Sequence, residues 1–278
     1  MSEPSHPFAD AAYGHLTTRE GELEHAYGPQ VHILADPFLL THLAFLCAET
    51  TQQPAINEVV RDQYRYLIKA VLNGEFPRVV KSVKTRMAAA SERGTWVGEV
   101  LDTEQRSVTV NIMRAGTLPS QVCYDFLNKT LDPKLVRQDH VVMSRMTDAA
   151  GHVTGSRFGD SKIGGDVDGA MVLFPDPMGA TGGSLAEAIR YYKDKVPGRA
   201  RKYVCVNLIV TPEYLRRITT EHPDVVIYAV RLDRGASAPE VLKERPGVRW
   251  ADESGLTEKQ YIVPGGGGFG EIMNNAYC

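Results

Sequence analysis

The chain has 278 residues, 43% of them hydrophobic and 23% charged, which is the composition of a globular protein able to bury a sizeable core. Its formal net charge is −3 with lysine and arginine dispersed, and it contains no run of roughly 18 uncharged apolar residues. These features argue against a nucleic-acid-binding protein and against a membrane protein. We therefore expect a cytoplasmic protein that has neither nucleic acid nor membrane as a partner.

The spacing of cysteine and histidine predicts neither a disulfide framework nor a metal site held directly by side chains. Cys47, Cys123, Cys205 and Cys278 are far apart and form no CxxC pair, and the first three lie in apolar runs. Such cysteines are typical of buried, reduced thiols. The eight histidines show no ligand spacing such as HExxH.

Residues 1–30 are polar and interrupted by proline and glycine, which predicts an arm that packs on the rest of the chain or on a second subunit. Residues 31–278 form the main domain in this division. It opens with a helix that Asp36 caps, because a proline follows Asp36 at the first helical position. Apolar periodicity predicts the first two helices over residues 37–47 and 56–72.

From residue 107 onward, short β-rich runs alternate with helical ones, which is typical of a parallel sheet with crossover helices. The predicted strands are Ser107 to Met113, His140 to Ser144, Ala170 to Phe174, Tyr203 to Val210 and Val225 to Val230. The predicted helices are Pro119 to Leu127, Leu185 to Lys195 and Glu213 to Thr220.

Two segments break this alternation. Residues 145–167 are polar and glycine-rich without sustained periodicity, which predicts a long loop of the kind that serves as a lid or binding loop. Residues 234–259 are charged and contain proline, and the glycine run Gly265 to Gly268 follows them closely. We expect that run near the surface, where its backbone can approach a ligand.

The segment Met171 to Ser184 runs from an apolar strand through small residues into a helix. It is either a tight strand-to-helix turn capped by hydroxyl groups or an anion site, since the N–H groups and dipole of a helix N-terminus attract phosphate. Asp176, at the end of the strand, suits sugar hydroxyls. No Gly-Lys-Ser/Thr follows, which excludes a P-loop. Phosphate plus ribose is therefore the expected ligand.

The same segment carries a family resemblance. Asp176-Pro-Met-Gly-Ala-Thr-Gly-Gly-Ser184 resembles the signature Asp-Pro-Met-Leu-Ala-Thr-Gly-Gly-Ser of uracil phosphoribosyltransferases. Three further segments resemble that family in the same order, over roughly residues 31–278. They are Ile112-Met-Arg-Ala-Gly116, similar to the pyrophosphate loop, His222-Pro-Asp-Val, similar to a strand entry, and Tyr261-Ile-Val-Pro-Gly265, similar to the uracil-binding loop.

The resemblance implies a type I phosphoribosyltransferase fold, an α/β structure with a central, mainly parallel sheet flanked by helices, a hood and an N-terminal helical attachment. It also implies transfer of phosphoribose from phosphoribosyl pyrophosphate (PRPP) to uracil in pyrimidine salvage, giving UMP and pyrophosphate. Mg²⁺ would be bound through PRPP, and the protein would be a homo-oligomer, a dimer.

Site residues follow from the resemblance position by position, with Arg114 and Asp176 as the implied catalytic residues. Arg114 and Arg145 would bind pyrophosphate. The implied PRPP ligands also include Asp176, Pro177, Met178, Gly179, Ala180, Thr181, Gly182, Gly183 and Ser184, and the implied uracil ligands are Ile262, Gly267, Gly268 and Phe269.

One departure from the family pattern concerns the base site. Gly267-Gly-Phe269 stands where the family has Gly-Asp-Ala, so an acid is missing at Gly268. Glu271 is a candidate replacement. Two alternatives stay open at this point: a phosphoribosyltransferase for another base, and a non-catalytic regulator on the same fold that binds PRPP or a nucleotide.

Overall fold

A mainly parallel sheet forms the centre of the computed structural model, which describes residues 10–16, 21–147 and 153–277. The strands are β1 (Val31–Ile33), β2 (Arg78–Lys84), β3 (Thr95–Leu101), β4 (Ser107–Met113), β5 (Val136–Thr147), β6 (Val153–Lys162), β7 (Met171–Pro175), β8 (Met178–Gly179), β9 (Lys202–Val210) and β10 (Val226–Leu232). Eight of them form the central sheet in the order β1-β10-β9-β7-β4-β5-β6, with β8 paired to β9. Within it, β5 and β6 pair antiparallel and the other pairs are parallel.

Helices cover both faces of this sheet. They are α1 (Pro37–Cys47), α2 (Ala55–Glu75), α3 (Thr117–Thr130), α4 (Gly183–Lys195), α5 (Pro212–Glu221) and the short α6 (Pro239–Leu242) and α7 (Phe269–Ile272). Side chains of β9 alternate between the faces. Val204 and Val206 pack into the core shared with α1, α2 and α3, whereas Tyr203 and Cys205 pack into the core shared with α4 and α5. Burial on both faces explains why Tyr203 to Val210 of β9 are apolar except for Asn207.

The predicted elements from residue 107 onward are confirmed, with boundaries that shift by one to a few residues. The side chain of Asp36 caps α1 as expected, accepting hydrogen bonds from the backbone N–H groups of Phe38 and Leu39. Of the described helices, none is long and apolar enough to cross a membrane.

The prediction of an irregular loop over residues 145–167 is wrong. The backbone of β5 continues to Thr147, and β6 returns antiparallel to it, with Arg145 opposite Ser156. Residues 145–147 and β6 are held by backbone pairing and have a largely polar sequence, so they lack the alternation of apolar residues by which a strand is recognised. Residues 148–152 lie outside the described part of the chain, as do the side chains of 144–147 and 153–158.

The hairpin of β2 and β3 and the short β1 were not predicted. Exposed residues predominate in β2, which pairs only with β3, so core burial leaves little trace in its sequence. β1 lies at the edge of the central sheet, parallel to β10. Three residues are too few for a periodic pattern.

The end of the proposed N-terminal arm packs on the charged segment 234–259. Glu253, which is buried, accepts hydrogen bonds from the Tyr27 hydroxyl, from Arg234 at 2.9 Å and from the Gly247 N–H at 2.8 Å. Burial and the neighbouring carboxylate raise the pKa of Tyr27, so its hydroxyl remains a donor. The division at residue 30 stays a prediction.

Cys123 and Cys205 are buried free thiols, as predicted, but Cys47 is only half-buried. It ends α1 at the margin of the core, next to Gly266 of the glycine-rich segment near the C-terminus. Cys278 lies outside the described residues.

Candidate active site

A cleft of about 740 Å³ opens at the carboxyl ends of the central strands. Parallel sheets place their ligand sites at this edge, because loops leaving neighbouring strands meet there. Of the predicted site residues, the cleft is lined by Arg114, Asp176, Met178, Ala180, Thr181, Gly182, Gly183, Ser184, Ile262, Gly267, Gly268 and Phe269. Segments far apart in sequence are therefore brought together.

Two predicted residues lie behind the cleft. Pro177 and Gly179 are buried and do not line it. The residues from Asp176 to Ser184 are called here the phosphate loop. Within this loop β8 pairs with the end of β9, so successive positions point to opposite faces of the sheet. Pro177 and Gly179 thus shape the loop from its inner side, in contrast to the direct ligand role that the resemblance implies for them.

The inner side of the phosphate loop is anchored through its carbonyl groups. The side-chain amide of Asn207, a buried residue of β9, donates to the Asp176 carbonyl at 2.7 Å. The backbone N–H of Ile209 donates to the Pro177 carbonyl at 3.0 Å. A carbonyl bonded to the strand behind it cannot turn its negative end toward the cleft.

Thr211 continues this anchoring one step further along the loop. Its backbone N–H donates to the Gly179 carbonyl at 3.0 Å, and its hydroxyl donates to the Ala180 carbonyl at 2.6 Å. Thr211 is fully buried and also caps α5 by accepting from the Tyr214 N–H. The first part of the loop therefore has its carbonyl groups directed away from the cleft.

The loop then turns into α4 through a glycine that the geometry requires. Gly182 has φ +74°, a left-handed conformation in which a side chain is strained, and no side chain caps the helix that starts at Gly183. Within the described residues, the backbone N–H groups of Thr181 and Gly182 have no hydrogen-bond acceptor. Unpaired N–H groups at the positive end of a helix dipole form an anion site.

Asp176 stands where β7 leaves the sheet, at the rim of the cleft. One oxygen of its carboxylate accepts from the Met178 N–H at 3.1 Å, which orients the group. A carboxylate in this place repels phosphate but accepts hydrogen bonds from the hydroxyl groups of a sugar. The ribose contact of Asp176 stays a prediction.

Arg114 follows β4 directly and reaches the cleft from the opposite side of the phosphate loop. A cis peptide bond joins it to Met113, and its guanidinium donates to the Ala276 carbonyl at 3.0 Å. Arg145 lies in β5, and its side chain is outside the described residues. The structure thus brings one of the two predicted pyrophosphate-binding arginines to the cleft.

The segment from Tyr261 to Gly270, called here the base loop, forms another wall of the cleft. The expectation that its glycine run lies at the surface is wrong for Gly265, which is buried. The Gly265 N–H donates to Asp233 at 2.8 Å, and its carbonyl accepts from Arg231 at 2.9 Å. Two side chains at the end of β10 therefore hold this glycine at both backbone groups.

Arg231 and Asp233 also pair with each other, at 2.6 Å between Nε and Oδ1. Although burial alone would lower the pKa of Arg231, hydrogen bonding to Asp233 raises it. Both side chains are buried or nearly so. The pair was missed by sequence reasoning; its only signal is that residues two apart on a strand share a face.

The place of the missing acid is filled by Glu271 of α7. A Cβ added at Gly268 would meet the Oε2 atom of Glu271 at 2.8 Å, and Glu271 lines the cleft. A carboxylate is thus present beside Gly268 although that position has no side chain. Phe269 also lines the cleft, but it is only 1% exposed and packs into the core, so it fixes α7.

Comparison with known proteins agrees with this geometry. The model of the family described as uracil phosphoribosyltransferase matches residues 33–248. The chain belongs to the uracil phosphoribosyltransferase family. The predicted family and the α/β fold with a mainly parallel sheet are thereby confirmed.

Individual relatives within this family are distant. The uracil phosphoribosyltransferase of Campylobacter fetus subsp. fetus is 32% identical over 108 residues, which are 38% of this chain and 41% of that protein. That of Shouchella clausii is 36% identical over 112 residues, which are 40% of this chain and 43% of that protein. The matched segment thus spans about two fifths of the length of these curated relatives.

A solved structure extends the likeness of the fold over most of the chain. The AQ2163 protein from Aquifex aeolicus superposes with a TM-score of 0.64 at 22% identity, covering 87% of this chain and 97% of that one. At this level of identity the likeness concerns the fold. This chain and the AQ2163 protein therefore share a fold over most of their length.

Proposed function

We propose that this protein transfers phosphoribose from PRPP to uracil, giving UMP and pyrophosphate, a reaction of pyrimidine salvage. The observation that carries the proposal is the convergence of the phosphate loop, Arg114 and the base loop on one cleft. These are the three recognition elements that the reaction needs: for the 5-phosphate and ribose, for pyrophosphate, and for the base.

For each part of PRPP and for uracil, the cleft has residues suited to bind it. The N–H groups of Thr181 and Gly182 and the start of α4 would hold the 5-phosphate, and Asp176 the ribose hydroxyls. Arg114 would bind pyrophosphate, and from the family resemblance we propose the same role for Arg145. Uracil, with two carbonyl acceptors and one N–H donor, would be read by backbone groups of the base loop near Ile262 and Gly267.

Charge develops on the leaving pyrophosphate as the C1–O bond breaks, and a fixed guanidinium group stabilises it. Mg²⁺ would enter bound to PRPP and neutralise the same charge. Within the described residues no group of three or more His, Cys, Asp or Glu side chains is placed to hold a metal, but the carboxylates of Asp176 and Glu271 line the cleft. Two carboxylates fit a metal that is held mainly by its substrate.

Transfer to N1 of uracil would then proceed with inversion at C1 through a loosely bonded, oxocarbenium-like transition state. The cleft would supply most of the rate by orienting both substrates and by stabilising the leaving group. From the family resemblance we also propose a cytoplasmic location and a dimer.

The carboxylate of Glu271 beside Gly268 favours the enzyme over a non-catalytic regulator, because the acid that the family pattern places there is supplied from α7. It also changes the shape of the base pocket. A heterocycle other than uracil therefore remains the second candidate, and the base has to be identified by assay.

The test is release of pyrophosphate from PRPP and Mg²⁺, measured with uracil, with a panel of other bases and with no base. We expect release that depends on uracil and is matched by formation of UMP. Release with another base alone would replace uracil by that base. No release with any base, together with retained binding of PRPP or UMP, would establish the regulator instead.

A further inference from the structure

A tyrosine ring occupies the space behind the phosphate loop that a side chain at position 179 would fill. A Cβ added at Gly179 would meet the ring atoms Cγ and Cδ2 of Tyr214 at 2.9 Å each, and Val210 at 3.0 Å. Real Cβ contacts of this length are essentially never seen, so residue 179 has to be glycine while the ring is there. The signature that this segment resembles has leucine at that place, and the ring explains the difference.

The same ring supports the turn into α4. A Cβ added at Gly182 would meet Cδ2 of Tyr214 at 3.4 Å, an ordinary packing distance. Tyr214 belongs to α5 and is 1% exposed. One ring thus lies against two glycines of the phosphate loop, Gly179 and Gly182.

The hydroxyl of Tyr214 continues this support through a hydrogen-bond chain. It donates to Oδ1 of Asn207 at 2.9 Å, and the amide nitrogen of Asn207 donates to the Asp176 carbonyl at 2.7 Å. Burial raises the pKa of Tyr214 well above its usual value, so the hydroxyl keeps its proton. A donor at Oδ1 fixes the amide of Asn207 in the orientation that supports Asp176.

We propose that Tyr214 is a positioning residue for the phosphate loop: it sets the path of the loop through Gly179 and Gly182 and the place of Asp176 through Asn207. The proposal rests on the proposed function, since the loop is taken to bind the ribose 5-phosphate part of PRPP. Tyr214 also lines the cleft, but the role proposed for it is exerted through the loop.

The test is a set of variants studied by calorimetric binding of ribose 5-phosphate and of PRPP with Mg²⁺. Tyr214→Phe keeps the ring and removes the hydroxyl. Tyr192→Phe is the matched control, because Tyr192 is also buried and its hydroxyl donates to Asp139 at 2.9 Å, away from the cleft. We expect the dissociation constant for ribose 5-phosphate to rise roughly 2- to 10-fold in Tyr214→Phe and to stay unchanged in Tyr192→Phe.

A double-mutant cycle tests the ring itself. Gly179→Leu and Tyr214→Ala should each weaken binding by roughly 10-fold or more, one by collision and one by loss of support. The variant that carries both changes should bind within roughly 3-fold of the wild type, because the new side chain takes the place of the ring. Thermal unfolding of each variant shows whether it is folded under the assay conditions.

Three results decide the matter. If the losses of binding free energy in the two single variants add up in the double variant, the proposed role of the ring is wrong. If Gly179→Leu does not fold, the comparison of the two phenylalanine variants decides, and equal dissociation constants for both would overturn the proposal. A wild-type protein that binds neither ribose 5-phosphate nor PRPP would refute the proposed function. A wild-type protein that binds both, with a Tyr214→Phe variant that binds them as tightly, would refute only the role of Tyr214.

Discussion

The pair of Arg231 and Asp233 makes the sharpest prediction about the base loop. In Asp233→Asn the charge is lost while the size of the side chain is kept. Asp233 accepts from Arg231 at 2.6 and 2.8 Å and from the Gly265 N–H at 2.8 Å. An asparagine amide has one acceptor oxygen in place of two, so at least one of these bonds is lost and the guanidinium keeps no counter-ion.

The size of the effect follows from burial. The side chain of Asp233 is 2% exposed and that of Arg231 is 22% exposed. Removing one partner of a fully buried pair costs about 3–5 kcal/mol, and partial access of Arg231 to water lowers this to roughly 2–4 kcal/mol. At about 2–4 °C per kcal/mol for a chain of this size, the unfolding midpoint should fall by on the order of 10 °C.

The effect on substrates should be selective. Because Gly265 belongs to the base loop, the KM for the accepted base should rise about 10-fold, the loss expected for one charge-assisted hydrogen bond. The KM for PRPP should change less than about 2-fold, since Asn207 and Thr211 anchor the phosphate loop independently.

Thermal unfolding and steady-state kinetics with each substrate varied in turn measure both effects. The control is Asp252→Asn, which breaks an exposed pair with Arg249 in the same region and should leave the midpoint and both KM values unchanged. An Asp233→Asn protein with the wild-type midpoint and an unchanged KM for the base would refute the view that this pair holds the base loop.

Three further predictions concern α4, α7 and the packing between helices. Gly183→Asp places a negative charge at the start of α4, so calorimetry should detect no binding of PRPP although the protein stays folded. Glu271→Gln should lower kcat at least about 10-fold with little change in the KM for PRPP, because it removes charge and keeps shape. Burial lowers the pKa of His222 in the folded protein below its usual value of 6.5. As the pH falls from about 7, the unfolded chain therefore binds a proton before the folded protein does, and the free energy of unfolding decreases. His222→Gln should reduce this loss, as followed by denaturant unfolding at pH 7 and pH 5.

Each of these has a result that contradicts it. Normal PRPP binding by Gly183→Asp would mean that the phosphate site lies elsewhere. A wild-type kcat in Glu271→Gln would show that the acid beside Gly268 is dispensable. For His222, whose ring nitrogen Nε2 donates to the Ala186 carbonyl at 2.9 Å, an unchanged dependence of stability on pH would assign the acid sensitivity to other groups.

Sequence reasoning succeeded where burial leaves a repeating signal. The strand over Tyr203 to Val210 is mostly apolar because both faces of the sheet are covered, and the strand over Ser107 to Met113 has Val108, Val110 and Ile112 at alternate positions. The turn into α4 is recognisable because a left-handed glycine and a helix start impose their residue types. The last part of β5 and the whole of β6 were missed for the converse reason. Residues 145–147 and 153–162 have a largely polar sequence and pair through their backbones.

The supports of the site were missed because each joins residues that are distant in sequence. Asn207 lies 31 positions from Asp176, and Asp233 lies 32 positions from Gly265. A single sequence contains no sign of such pairs until the strands that carry them are set side by side. The glycine at position 179 is an example: its cause is a tyrosine on α5, and the loop alone gives no reason for it.

The phosphate loop and the base loop are supported by different strands of the sheet. The phosphate loop rests on β9 and α5, whereas the base loop rests on β10 and on residues 234–259, with which Val263 exchanges backbone hydrogen bonds through Gly235 and Gly255. The segment 234–259 also reaches α5, because Glu213 accepts hydrogen bonds from the Ser254 hydroxyl and the Gly255 N–H. Under the proposed function, the part of the segment 234–259 away from Ser254 and Gly255 is the starting point for engineering which heterocycle receives the phosphoribosyl group.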